Sequence, residues 1–174
     1  MLHRTRLQST VAHIILILCV ASCREAVPQD SEYASTYLGG KDHEFCEAIA
    51  LDDDGNIYVA GNTRSLDFPT TPGAYNRESQ GRSDVFIAKF DNGLQTLLAS
   101  TFIGGDEDEC AYTILYDPEG YVYVAGYTSS ENVPTTDRSY DSSYNGGDGD
   151  AFKIYPSNQL GKARPTLPTN AIQL

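Results

Sequence analysis

Two stretches of this chain repeat each other. Ser35-Thr36-Tyr37-Leu38-Gly39-Gly40 returns 65 residues later as Ser100-Thr101-Phe102-Ile103-Gly104-Gly105, and Ile57-Tyr58-Val59-Ala60-Gly61-Asn62-Thr63 returns at the same offset as Val122-Tyr123-Val124-Ala125-Gly126-Tyr127-Thr128. Pro69-Thr70-Thr71 recurs as Pro134-Thr135-Thr136, Tyr75 as Tyr140, and, after one inserted residue, Asp84-Val85-Phe86 as Asp150-Ala151-Phe152. A fixed period of this size signals one supersecondary unit built more than once, and such units bury their apolar faces by stacking on each other.

Within a unit the apolar residues read as strands. Ala48–Leu51 and Ile57–Ala60 flank Asp52-Asp53-Asp54-Gly55-Asn56, a turn whose Gly and Asn tolerate positive φ. Val85–Phe90 and Thr96–Ile103 flank a second turn, Asp91-Asn92-Gly93, and Arg64–Ser83 between the hairpins is a loop broken by Pro69, Pro72, Gly73 and Gly81. No stretch beyond the N-terminal segment shows apolar residues at helical spacing over three turns. The expected fold is all-β, with four antiparallel strands per unit. A hydrophobic content of 40%, with 12 Tyr and 6 Phe, is enough to bury a core.

The joint pattern Ser-Thr-Tyr-Leu-Gly-Gly, Ile-Ala-Leu-Asp-x-x-Gly-Asn-Ile-Tyr-Val-Ala-Gly-x-Thr, Phe-Pro-Thr-Thr-Pro-Gly-Ala-Tyr and Asp-Val-Phe-Ile-Ala-Lys-Phe resembles the SBBP repeat, a bacterial β-propeller repeat of secreted and surface proteins. The resemblance covers roughly residues 35–152, as repeats 35–99 and 100–152. It implies propeller blades and a location outside the cytoplasm, and no particular activity.

A propeller closes with four to eight blades, and this chain has material for two. Counting Ser35–Gly40 as an outer strand, the order is one strand, a blade of four, then three. From Lys153 the pattern is lost: Lys153-Ile154-Tyr155-Pro156 interrupts the strand, and Pro165 and Pro168 suit an irregular tail over 153–174. Two outcomes follow. In one, Ser35–Gly40 of one copy completes the second blade of the next, so head-to-tail contacts close a homo-oligomeric ring, of six blades from three copies or eight from four. In the other, which the poor last strand favours, the chain is a truncated remnant of a longer propeller protein.

The N-terminus bears on location. Arg4 and Arg6, the apolar run Val11–Val20 and the small residues Ala21-Ser22 make a secretory signal over residues 1–22, too short to span a bilayer. Val20-Ala21-Ser22-Cys23 resembles the lipobox of bacterial lipoproteins, which implies lipidation at Cys23, a tether over 23–34 and membrane attachment at the outer membrane or cell surface. An ordinary cleaved signal with secretion is the alternative. Removing residues 1–22 takes away two arginines and no acid, so the net charge of −12 falls to −14. That acidity excludes a nucleic-acid binder built on a basic groove.

Chemistry is sparse. His43 is the sole histidine after residue 22, no Gly-x-Ser-x-Gly elbow is present, and no catalytic residue is expected. Asp106-Glu107-Asp108-Glu109 reads as a solvated acidic loop, and Asp52–Asn56 as a turn, since its counterpart Asp117-Pro118-Glu119-Gly120-Tyr121 keeps the turn and loses the oxygens a calcium loop needs. Neither a metal site nor a cofactor is expected. Cys46 and Cys110 lie one residue out of repeat register, on opposite faces of equivalent strands, so a disulfide is not expected. Tyr37, Tyr58, Tyr75, Tyr123 and Tyr140 sit at repeat positions, where packing between blades accounts for them.

These readings point to an exported, lipid-anchored, non-enzymatic surface module. Its loops, Arg64–Ser83 and Ser129–Gly149, would offer a binding face to a protein or glycan. A propeller-type lyase or hydrolase is the enzymatic alternative.

Overall fold

A computed structural model describes residues 33–136 and 139–154. The expected export signal, Cys23 and the tail beyond Ile154 lie outside the described residues. Seven strands follow in chain order: β1 (Glu44–Leu51), β2 (Ile57–Thr63), β3 (Asp84–Phe90), β4 (Leu97–Ile103), β5 (Glu109–Tyr116), β6 (Val122–Thr128) and β7 (Asp150–Ile154). They form two antiparallel sheets, β1-β2-β3-β4 and β5-β6-β7. The described chain has no helix. The fold is all-β, and the sheets are incomplete propeller blades in chain order.

The repeat in sequence is a repeat in hydrogen-bond register. Gly61 lies opposite Cys46 and Phe86 in the first sheet, and its counterpart Gly126 lies opposite Ala111 and Phe152 in the second. Both inner strands carry a bulge at the same place, Glu47 in β1 and Tyr112 in β5. There the backbones close up: a Cβ on Gly61 would collide with the Phe45 carbonyl, and one on Gly126 with the Cys110 carbonyl. Glycine is therefore required at this bulge in each blade.

Strand periodicity gives each blade two faces. The front face carries Ile57, Val59, Phe86, Ala88 and Phe102 in the first blade and Val122, Val124 and Ile154 in the second. The rear face carries Tyr58, Ala60, Val85, Ile87 and Ile103 in the first and Tyr123, Ala125, Ala151 and Lys153 in the second. One core cluster joins the rear face of the first blade to Ala111, Ile114, Val122, Val124 and Ile154 on the front face of the second. Tyr58 stacks on Tyr116 across this junction, with ring centroids 5.8 Å apart. A second cluster covers the front face of the first blade, with Phe68 and Leu94 brought in by loops and Leu38 and Cys46 packed against it. β2 is buried along its whole length because a core lies on each side. Each fully buried Ile or Val contributes roughly 1.5–3 kcal/mol, so the junction is held chiefly by apolar burial.

Two expectations need correction. Ser35–Gly40 is not a strand: its counterpart Ser100–Ile103 pairs with β3, whereas no strand precedes Ser35 among the described residues to supply a ladder. β7 does not stop at Phe152. Lys153 and Ile154 pair with Ala125 and Val124, and Ile154 is buried in the junction core. Burial of that one side chain outweighs the polar sequence that follows. The second turn, between β3 and β4 as expected, holds Leu94 in the left-handed region (φ 55), and Leu94 is buried in the front-face core.

Candidate functional site

Each repeat builds the same hydrogen-bonded corner where the Gly-Gly segment enters an inner strand. In the first, the Gly40 N–H and the Thr63 hydroxyl donate to Glu44 Oε1 at 3.2 and 2.9 Å. In the second, Gly105 N–H donates to Glu109 Oε2 at 2.8 Å and Thr128 Oγ1 to Glu109 Oε1 at 2.5 Å. Ser65 and Ser130 each donate a backbone N–H to the preceding threonine hydroxyl at 2.9 Å. Their own hydroxyls accept the N–H of Asp42 and Glu107, and Asp67 and Asn132 accept the N–H of Lys41 and Asp106. The corners satisfy backbone groups that the loop would otherwise leave unpaired.

The second corner is also the hinge of the blade junction. Asp84, at the start of β3, is fully buried and accepts Ser79 Oγ, Gln80 N–H and Gly81 N–H on Oδ2 at 2.5, 2.9 and 3.3 Å. Its Oδ1 has no hydrogen-bond partner among the described residues. Gly104 lies against both buried carboxylates: a Cβ there would collide with Asp84 Oδ1 and stand 2.6 Å from Glu109 Oε2. The backbones of the two blades meet beside it, Glu109 N–H donating to the Ser83 carbonyl at 2.7 Å and Arg82 N–H to the Glu107 carbonyl at 3.0 Å. The Arg82 guanidinium pairs with Glu107 at 2.6 Å and Asp108 at 3.2 Å.

The acidic run Asp106–Glu109 is thus not a uniformly solvated loop. Asp106 holds Asn132, Glu107 and Asp108 clasp Arg82, and Glu109 is buried in the corner. The signal for this lay in the repeat, since Glu44 and Glu109 recur 65 residues apart and Asp84 and Asp150 recur as a pair. Sequence reasoning missed it by weighing four adjacent acids together and not each against its counterpart. Among the described residues no group of three or more His, Cys, Asp or Glu side chains is placed to hold a metal ion.

The other singled-out residues are dispersed. His43 is exposed, its Nδ1 2.5 Å from Asp42 Oδ1, and that hydrogen bond first of all holds the Asp42 carboxyl below its ordinary pKa. Asp52 closes the first hairpin, accepting the backbone N–H groups of Asp54 and Asn56 and the Asn56 amide. Asp117 repeats this with the N–H of Tyr121 and the hydroxyl of Tyr123. Cys46 and Cys110 are both free; burial pushes the Cys46 thiol up to about 11 and raises Cys110 as well. Tyr58 packs between the blades as expected, but Tyr37, Tyr75 and Tyr140 are exposed, so packing does not account for them. In the loop Arg64–Ser83, Phe68 is buried against Phe86 and Phe102, and this part of the loop is core.

A family model described as a beta-propeller repeat, SBBP, matches residues 35–69. The match takes in the first corner, β1, β2 and Phe68. A comparison with curated proteins finds no match.

Proposed function

We propose that this propeller-repeat chain is an exported, lipid-anchored, non-enzymatic module that displays its loops at a bacterial cell surface. The observation that carries the reading is the placement of Val20-Ala21-Ser22-Cys23 at the end of a short apolar run, twelve residues before the first repeat begins at Ser35. Several acyl chains on one residue anchor stably, where a single chain binds only marginally. Two features support a display role. The buried and half-buried carboxylates Glu44, Asp52, Asp84 and Glu109 are engaged in turns and corners. Tyr75 and Tyr140, one in each long loop, present aromatic surface at equivalent positions.

Metabolic labelling with a palmitate analogue tests the anchor. The wild-type chain takes the label and fractionates with membranes, and Cys23→Ala loses both properties. Label retained on Cys23→Ala refutes the anchor.

A further inference from the structure

The chain contains two Asn-Gly pairs, Asn92-Gly93 in the turn between β3 and β4 and Asn145-Gly146 in the long loop before β7. Both asparagines are exposed. A glycine after asparagine leaves the backbone nitrogen unshielded by a Cβ, so that nitrogen can reach the asparagine's own side-chain carbonyl. In a folded protein the reaction depends on what holds the two groups, and here the pairs differ.

Asn145 is clamped. Its side-chain amide donates to Asp141 Oδ2 at 3.2 Å and to the Ser143 carbonyl at 3.3 Å, and its backbone N–H donates to Asp150 Oδ2 at 2.6 Å. Asp141 is fixed in turn, accepting the backbone N–H and the hydroxyl of Ser143 at 2.9 and 2.6 Å. The Asn145 carboxamide must give up two hydrogen bonds before it can turn toward the nitrogen of Gly146.

Asn92 has no such clamp. The bonds of its turn run from the Leu94 N–H to the Asp91 carbonyl at 3.0 Å and from the Gln95 and Thr96 N–H groups to Asp91 Oδ1 at 2.7 and 3.0 Å. They pass over the Gly93 N–H, and the Asn92 carboxamide makes no hydrogen bond among the described residues. Nor does the turn require a glycine here. Gly93 takes no positive φ, the left-handed residue being Leu94, and a Cβ on Gly93 would meet only the Gln95 side chain at 3.7 Å, an ordinary contact.

We propose that Asn92 is a site of spontaneous covalent modification, deamidating through a succinimide while the protein stays folded. The Gly93 nitrogen attacks the side-chain carbonyl carbon of Asn92, and its proton leaves with the amide nitrogen as ammonia. Water, the one co-reactant, then opens the ring. Attack at the side-chain carbonyl gives aspartate; attack at the backbone carbonyl gives isoaspartate, in which the main chain runs through the side chain. Either product adds a negative charge. Isoaspartate also lengthens the turn by one methylene, two residues before Leu94, whose side chain is buried in the front-face core. The isoaspartyl form therefore melts at a lower temperature than the unmodified chain. None of this depends on the lipid anchor.

The test ages the folded chain in mildly alkaline buffer and reads each asparagine by peptide mass spectrometry with fragmentation that separates aspartate from isoaspartate. Asn92 is expected to give both products, and Asn145 to react about tenfold more slowly because of its hydrogen bonds. Gly93→Ala, with an unchanged β-sheet circular-dichroism spectrum, slows Asn92. Asp141→Ala loosens the clamp, so it speeds Asn145 and leaves Asn92 as it was. In denaturant the two asparagines react at similar rates. An Asn92 that stays intact in the folded chain while reacting in denaturant overturns the proposal. So does an Asn145 that reacts as fast as Asn92 in the folded chain, or aspartate formed at Asn92 without isoaspartate.

Discussion

Lys89 Nζ and Asp52 Oδ2 lie 2.9 Å apart, with only 11% and 6% of their side-chain surface exposed. The ion pair ties the first hairpin turn to β3, and the ammonium also sits 4.9 Å from the centre of the Tyr58 ring, which stacks on Tyr116 of the second blade. A turn, a strand and the blade junction thus share one buried cation.

Removing that cation strands a carboxylate. Lys89→Met is expected to cost about 3 kcal/mol, the low end for breaking a buried pair, because Asp52 keeps the hydrogen bonds of Asp54 and Asn56. Asp52→Asn combined with Lys89→Met recovers part of the loss. Urea unfolding of the three variants checks both statements.

The same pair has a pH signature. Burial works to raise the Asp52 pKa, but the hydrogen bonds from Lys89 and Asn56 outweigh it and hold the carboxyl below its ordinary value. Burial works to lower Lys89, but Tyr58 and Asp52 hold it above its ordinary value. The stabilisation from Asp52 is present above the unfolded carboxylate value of about 3.9 and is lost as pH falls through the lower folded value. That from Lys89 is present below about 10.4 and is lost as pH rises through the higher folded one. The stability difference between wild type and the double variant is therefore flat from about pH 5 to 9 and shrinks beyond either end. Denaturation curves across that range measure it.

Equivalent glycines differ in what they tolerate. Gly104→Ala drives a methyl into two buried carboxylates and is expected to cost about 1–3 kcal/mol as overpacking. Gly39→Ala meets only the flexible end of Glu44, which is less buried, and changes stability by under about 0.5 kcal/mol. Thermal melts of the two variants compare them directly.

Cysteine reactivity follows the burial of the thiols. With Cys46 raised to about 11 and Cys110 also raised, few thiolates exist at neutral pH. Iodoacetamide at pH 7.5 is expected to label both slowly in the folded protein and rapidly in denaturant, read by peptide mass spectrometry. Fast labelling of folded Cys46 contradicts its place against the front-face core.

The sheets were legible in the sequence because the strands are apolar runs with turn residues between them, and the blade count followed from the repeat of Gly61 and Gly126. The two ends were not. Ser35–Gly40 has the composition of a strand, yet a strand exists only where a partner offers a ladder, and among the described residues no strand pairs with it. Lys153 and Ile154 look like tail, but Ile154 is held by junction residues distant in sequence. Glu109 was hidden for a related reason: its burial depends on Asp84 and Gly104, brought together only when the blades pack. Local pattern reports local pairing, and junctions are decided by tertiary contact.

Palmitate-analogue labelling of the wild-type chain beside Cys23→Ala tests the proposed surface anchor most directly. The account predicts label and membrane fractionation for wild type and neither for Cys23→Ala; label retained on Cys23→Ala contradicts it.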